Sequence, residues 1–381
     1  MAKESKFWLY THNFTHSGAP LVLAAIAREL AAAGLCQQLR IVSWGGLHDH
    51  RHSTLQHQLI AEGIGCQVLD FPNPPPQINS GDRLLLNTVA LPDPVVQQAL
   101  AWLAEGKLQR LDWYAHESDP EIWIQNDTTH LMIVEALRSG RMQMRVPSQR
   151  VCLAYEQWLG FTGKALDVQC PALESSSFFE GIQPLNPGHF GDLRLVLVGS
   201  AGYGNKGHLW LLHLLEAALS DIPNGARGLR PIQLSFLGLE TGHYAALSRE
   251  VIRRAESLLG DQFSWHESCQ RDKLLSLISK SNLLVNCSLK EAFSCVSVEA
   301  MAMGLPLLRI QNGGHQEQLI DGVTGFDLGS PSPGITLDQV QLINHLRDPL
   351  AIPDSKLLDM VAAAKTQGKK FTLISYSDWL L

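Results

Sequence analysis

Glu291 and Glu299 stand eight residues apart in the segment Ser288–Phe326, SLKEAFSCVSVEAMAMGLPLLRIQNGGHQEQLIDGVTGF. Glu291 follows an apolar run that reads as a strand exit. Glu299 falls inside a helical pattern that stops at Gly304. Between them, the turn Ala292–Ser294 can present backbone N–H groups, and a helix beginning near Cys295 aims its positive end at the same place, which favours phosphate. Carboxylates are poor phosphate ligands but good acceptors for sugar and ribose hydroxyls. Asn312, Gly313 and Gly314 add a second flexible backbone approach. Lys206, in GSAGYGNKGHLWLL, sits at a Gly-rich strand exit just before a helix, a natural place for a diphosphate clamp. His116, in DWYAHESDPEIW, ends a strand-like run, where a side chain faces ligand at a strand's carboxyl end.

These residues need strands and helices to hold them, and the chain supplies two similar sets. Phe7–Tyr10 reads as a strand and Thr11–Gly18 as a polar loop. The stretch APLVLAAIARELAAAG is apolar at helical spacing (Leu23, Ile26, Ala27, Leu30) and closes at Gly34. RIVSW, LLLNTVAL and LDWYAHE read as further strands, so parallel βαβ units are expected. The grammar restarts at DLRLVLVGSAG, followed by the amphipathic GHLWLLHLLEAAL, the strand QLSFLGLE, and a helix and strand in KLLSLISKSNLLVNCS. Between the halves, CPALESSSFFEGIQPLNPGHFG has the Ser, Pro and Gly content and weak periodicity of a linker. Two α/β halves joined by a hinge predict a cleft with ligand at the carboxyl ends of the strands.

Composition narrows the classes. Of the 381 residues, 45% are hydrophobic and 18% charged, enough for a large core and against global disorder. The formal charge of −7 argues against a general nucleic-acid binder. Seven scattered cysteines without a CxxC pair argue against a disulfide framework or structural zinc and suit reduced thiols. The N-terminus shows no secretory signal, and no run of about 18 apolar residues is evident, so a cytoplasmic chain that does not span a membrane is expected. The His48–His52 stretch HDHRH lacks a carboxylate or cysteine partner in helical register and is poor metal-ligand geometry. Arg138, Arg141, Arg145 and Arg150 lie in a stretch without acidic residues, which suits a solvated face or peripheral contact with an anionic acceptor or the inner face of a membrane.

The Ser288–Phe326 segment resembles the donor site of retaining glycosyltransferases of the GT-B fold, specifically the large family 4. That family's pattern of Glu, seven residues, Glu, then AMAxGxP and a GG loop with a later Glu stands here as Glu291, Glu299, Ala300–Met301–Ala302, Gly304, Pro306, Gly313–Gly314 and Glu317. The Lys206–Gly207 pair matches the family's G-R-L-x-x-x-K-G, with Ser200 in place of the arginine and a loop one residue longer. THNFTHSGAP resembles the N-terminal GG loop, with Ser17 for the first glycine and Gly18 matching.

The resemblance implies an α/β chain of GT-B type, two Rossmann-like domains facing each other across a cleft. An acceptor-binding domain is expected over 1–175, a linker over 176–190, a nucleotide-sugar domain over 191–355, and a helical segment, 356–381, packing back on the first domain. It implies catalytic roles for Glu291, Lys206 and His116. Glu299 would hold the nucleotide ribose, Phe293 and Ser294 would lie against sugar and phosphate, and Gly18, Gly313 and Gly314 would approach the donor. Glu117, Asp119 and Trp123 would shape the acceptor pocket, and Ser264–Asp272 would line the base. The implied reaction moves a sugar from a nucleotide-sugar donor to a carbohydrate, lipid or small-molecule acceptor, with retention and no cofactor. No D-x-D triplet is present, which agrees with a site free of metal. An epimerase or phosphorylase on the same fold, or a non-catalytic module that binds a nucleotide sugar or a partner, stays open, the last because of Ser17 and Ser200.

Overall fold

The computed structural model describes residues 5–15, 17–44, 51–70, 72–108, 110–161, 166–173, 176–182, 191–202, 204–220, 229–240, 245–310, 317–329, 339–372 and 375–381. The chain forms two compact units, Met1–Glu174 with Ile374–Leu381, and Ser175–Leu373.

The first unit is built on β1 (Phe7–Thr11), β2 (Leu39–Ser43), β3 (Gly65–Val68), β4 (Arg83–Leu86), β5 (Leu111–Tyr114), β6 (Met142–Val146) and β7 (Leu166–Val168). All pair in parallel, in the order β3-β2-β1-β4-β5-β6-β7. Strands covered on both faces need near-continuous apolar sequence, and β1, FWLYT, is buried throughout. The helix Gly18–Leu30 buries Val22, Leu23, Ile26, Ala27 and Leu30. With its continuation to Leu35 it is long and apolar enough to cross a membrane by composition alone, contrary to the sequence expectation.

Two expectations change here. Arg145 does not share a surface with Arg138 and Arg141. MQMRV is strand β6, and Arg145 is only 6% exposed, paired with the buried Asp112 at 3.3 Å. Its guanidinium lies 4.0 Å from the centre of the Trp379 ring. Arg141 donates to the Leu103 carbonyl, and Arg138 lies over Phe161. A buried cation needs a partner, and β6 delivers Arg145 to one.

The segment 356–381 also divides. The helix Asp354–Thr372 belongs to the second unit, and only the last residues join the first. There the Glu29 carboxylate accepts from the backbone N–H of Tyr376 and Ser377 and from Ser375 Oγ. These hydrogen bonds hold it below the usual carboxylate range against the opposing effect of burial. Tyr376 Oη accepts from Ala172 N–H and donates to its carbonyl.

The second unit carries β8 (Leu193–Val198), β9 (Ile232–Leu239), β10 (Phe263–Glu267), β11 (Leu283–Asn286), β12 (Leu307–Arg309) and β13 (Gly325–Asp327). They are again parallel, in the order β10-β9-β8-β11-β12-β13. The expected linker begins instead as a helix, Ser176–Glu180, whose Phe179 is buried in this unit's core with Ala300, Met301 and Leu284. An aromatic side chain in a Ser-rich stretch was enough to dock it.

Candidate functional site

In each sheet the strand order reverses at one place, between β1 and β4 in the first unit and between β8 and β11 in the second. Connections on either side of such a point run to opposite faces and leave a crevice at the carboxyl ends.

In the second unit that crevice holds Lys206 and Glu291. The chain leaves β8 through Gly199 and turns back so that Lys206 Nζ reaches Glu291 Oε2 at 2.9 Å. Gly207 makes this possible. It has φ +73°, and a Cβ there would lie 2.1 Å from the Cys287 carbonyl oxygen. Only glycine lets the β8 exit pass so close to the β11 exit. A hydrogen bond from Leu289 N–H to the Asn205 carbonyl, 2.7 Å, ties the same two loops. Ser200, where the resemblance leads one to expect arginine, accepts from Gly202 N–H and stabilises its own turn.

The helix Cys295–Met303 starts at this crevice. Ser294 caps it, accepting from Ser297 N–H and from the Ser297 hydroxyl, which in turn accepts from Asn286 Nδ2. Gln318 Nε2 donates to the Ser294 carbonyl. Ser294 is therefore spent on the cap, and Phe293 is buried edge-on to Phe371. What these residues offer a ligand is mainly backbone. A small recess opens here, lined by Lys206, Asn286, Ser288, Glu291, Ser294 and Val296 among others.

Glu299 lies one turn further down the helix, 4% exposed, with Oε1 held by Arg271 Nη2 at 2.7 Å. The helix is fixed by close packing. Gly368 of Asp354–Thr372 comes so near that a Cβ would lie 2.3 Å from the Ala302 backbone nitrogen. The small residues of Ala300–Met301–Ala302 thus serve helix contact, and the motif's carboxylate is carried on a rigid support. Cys295, at the helix start, senses both ion pairs. Burial raises its thiol, Glu299 and Glu291 raise it further, and Arg271 and Lys206 pull it down. Lys206 is itself raised, chiefly by the Glu291 charge, and stays a cation.

In the first unit, His116 follows β5 and its Nε2 lies 3.1 Å from Asn87 Oδ1. Asn87 follows β4 and donates its Nδ2 to the Ala19 carbonyl. A carbonyl only accepts, so the amide is oriented, Oδ1 faces the ring, and Nε2 carries the proton. Nδ1 is then the acceptor. Burial, with a smaller effect of His12, pushes His116 down to about 3. Burial likewise takes His208 to about 4, with Lys206 as second cause.

A prediction follows for both rings. Below about pH 6.5 the unfolded chain binds protons that these folded-state histidines refuse. Each therefore removes stability as pH falls from about 6.5, down to about 3 for His116 and about 4 for His208. Ring resonances of both should stay at neutral positions from pH 8 to 5 by NMR. A midpoint near 6.5 for either would contradict its burial.

Of the remaining candidates, Gly18 opens its helix with nothing within 4 Å of a Cβ, so packing within the described residues does not demand glycine there. The Glu117 oxygens accept from Thr88 Oγ1 and Val89 N–H, clasping the β4 and β5 exits together. Asp119 accepts from Ser118 Oγ, and Trp123 is 49% exposed. Gly313 and Gly314 lie outside the described residues, as do His48–His50. Among the described residues no group of three or more His, Cys, Asp or Glu is placed to hold a metal ion. Asn286, Ser297 and Asn87 are polar partners that the sequence reading passed over, and Arg271 falls within the Ser264–Asp272 segment expected to line the base, with no part assigned to it beside Glu299. Arg271 and Asn87 each directly follow a strand or its exit turn, which is the signal that marks them.

Residues 229–346 match the Glycosyl transferases group 1 family. A D-inositol 3-phosphate glycosyltransferase of Gordonia bronchialis is 28% identical over 160 residues, 42% of this chain. The match spans only a third of that relative's length. The structure of HepE from Anabaena with UDP and glucose superposes with a TM-score of 0.68 at 17% identity, over 97% of this chain and 96% of HepE. A glycosyltransferase of Rickettsia africae gives 0.66 at 15%, over 97% and 96%. Over residues 229–346 the chain thus resembles a Glycosyl transferases group 1 domain, and it has the GT-B fold of two parallel-sheet, Rossmann-like units.

Proposed function

We propose that the protein is a retaining glycosyltransferase of family 4 type. It would move a hexosyl group from a nucleotide-sugar donor to a carbohydrate, lipid or small-molecule acceptor. The observation that carries this reading is the convergence of Lys206, Glu291 and the amino end of the helix Cys295–Met303 on one recess, with Glu299 one turn below. Support also comes from HepE, solved with UDP-glucose and with UDP and glucose, and from the Gordonia relative's name.

In this reading the donor diphosphate lies at the helix amino end. Breaking the bond between the anomeric carbon and the phosphate oxygen builds positive charge on the sugar and negative charge on the departing diphosphate. Lys206 and the helix amides face the negative charge, so the reaction needs no divalent cation. Lys206 is held by Glu291 before the donor arrives, and the phosphate competes for it. Glu291 then serves the sugar hydroxyls and fixes the ring so that the acceptor attacks on the leaving-group face. The leaving phosphate takes the acceptor proton, and Glu291 forms no bond to the sugar. His116, uncharged, offers Nδ1 as a hydrogen-bond acceptor to a sugar hydroxyl rather than working as an acid.

Glu299→Ala is expected to weaken nucleotide-sugar binding by about tenfold or more, the loss of hydrogen bonds to a charged acceptor, with a smaller change in kcat. Isothermal titration across a panel of nucleotide sugars reads the first effect and steady-state transfer the second. Wild-type affinity in the variant would remove Glu299 from the site. Conversion of nucleotide sugar without any acceptor, or only with inorganic phosphate, would replace transfer by epimerisation or phosphorolysis.

A further inference from the structure

We propose that Arg271 is a positioning residue that holds Glu299 as an ionised, fixed acceptor for the ribose hydroxyls of the nucleotide, and so makes the site selective for ribonucleotides. The inference rests on the donor-site reading above.

Glu299 is 4% exposed. A carboxylate at that depth without an opposite charge tends to take up a proton, which would turn half of its accepting surface into a donor. Arg271 supplies the charge at 2.7 Å, on Oε1. Its position is not left to a flexible stem alone. Arg271 opens the helix Arg271–Ile278, whose Leu275 and Ile278 are buried in the same core as Met301 and Met303 of the helix that bears Glu299. Two helices packed on one core thus set the distance between guanidinium and carboxylate.

The spacing also fits a nucleotide. Cys295 and Glu299 are four residues apart on one helix, about 6 Å along its axis and on the same face. Phosphate at the helix start and ribose one turn below are neighbouring parts of a nucleoside diphosphate. The two ion pairs divide the work. Lys206–Glu291 stands at the phosphate and sugar end, and Arg271–Glu299 at the ribose end, with the Cys295 thiol within the field of all four groups.

The test separates the ribose from the rest of the ligand. Titration of the full chain with UDP, GDP, ADP and CDP identifies the diphosphate bound tightest, and its 2′,3′-dideoxy analogue is titrated beside it. Wild type is expected to prefer the ribose form by about tenfold or more. Arg271→Ala should bring that ratio close to one while leaving affinity for the dideoxy form nearly unchanged. Arg271→Gln, closer in size, is measured in parallel with melting curves and should show the same collapse. A purely structural role would lower both affinities together. Equal loss for both forms, or a wild-type ratio in a folded variant, would overturn the inference and leave the donor site standing. A wild-type chain that binds none of the four diphosphates would overturn the donor-site reading, and this inference with it.

Discussion

Lys206→Ala is expected to lower kcat by about a hundredfold or more while leaving the melting temperature within a few degrees of wild type. The reasoning is electrostatic. In the proposed reaction the transition state places negative charge on the departing diphosphate, and fixed positive charge aimed at such a site contributes about 3 kcal/mol or more to turnover. Lys206 reaches the crevice from the β8 exit and meets Glu291 there, at 2.9 Å. Ser200 binds its own loop and supplies no second cation. Removing Lys206 also leaves Glu291, largely buried, without this partner. Lys206→Arg keeps the charge and should recover part of the rate. Single-turnover transfer with saturating donor is the readout, and full activity in the alanine variant would place the phosphate clamp elsewhere.

Gly207→Ala is expected to cost about 3 kcal/mol or more of stability and to lose activity as severely as Lys206→Ala. A left-handed backbone carrying a Cβ costs about 1–3 kcal/mol by itself. Here the added carbon would also lie 2.1 Å from the Cys287 carbonyl oxygen and 2.8 Å from its Cβ. One loop has to move off the other, and Lys206 is the next residue. Gly260→Ala is the matched control. It too has positive φ, +53°, but nothing stands within 4 Å of a Cβ. It should show the backbone cost alone, about 1 kcal/mol, and full activity. Equal destabilisation by the two substitutions would mean that the contact with Cys287 is easily relieved.

Much of the fold is legible in the sequence because local rules and burial agree. LRLVLV and LLVN are largely apolar runs, and they are β8 and β11. Ser294 and Gly304 mark the helix ends that the spacing of Glu291 and Glu299 requires, and they cap it at both ends. The failures occur where a polar residue is paired by something distant in sequence. Arg145 looks like a surface charge among other arginines, but Asp112 and Trp379 lie 33 and 234 residues away. Nothing in the sequence shows that the Glu117 oxygens are held by Thr88 and Val89. Arg271 lies in the segment expected to line the base, but the sequence gives it no partner. Its meaning comes from Glu299, brought to it by a shared core. Phe179 sits in a Ser-rich stretch whose composition hides one well-packed ring.

The most direct measurement is a crystal structure with the tightest-binding nucleoside diphosphate. The account predicts a diphosphate at the amino end of the helix Cys295–Met303, within hydrogen-bond reach of Lys206 Nζ, and a ribose against Glu299. A diphosphate bound away from Lys206 and that helix end would contradict it.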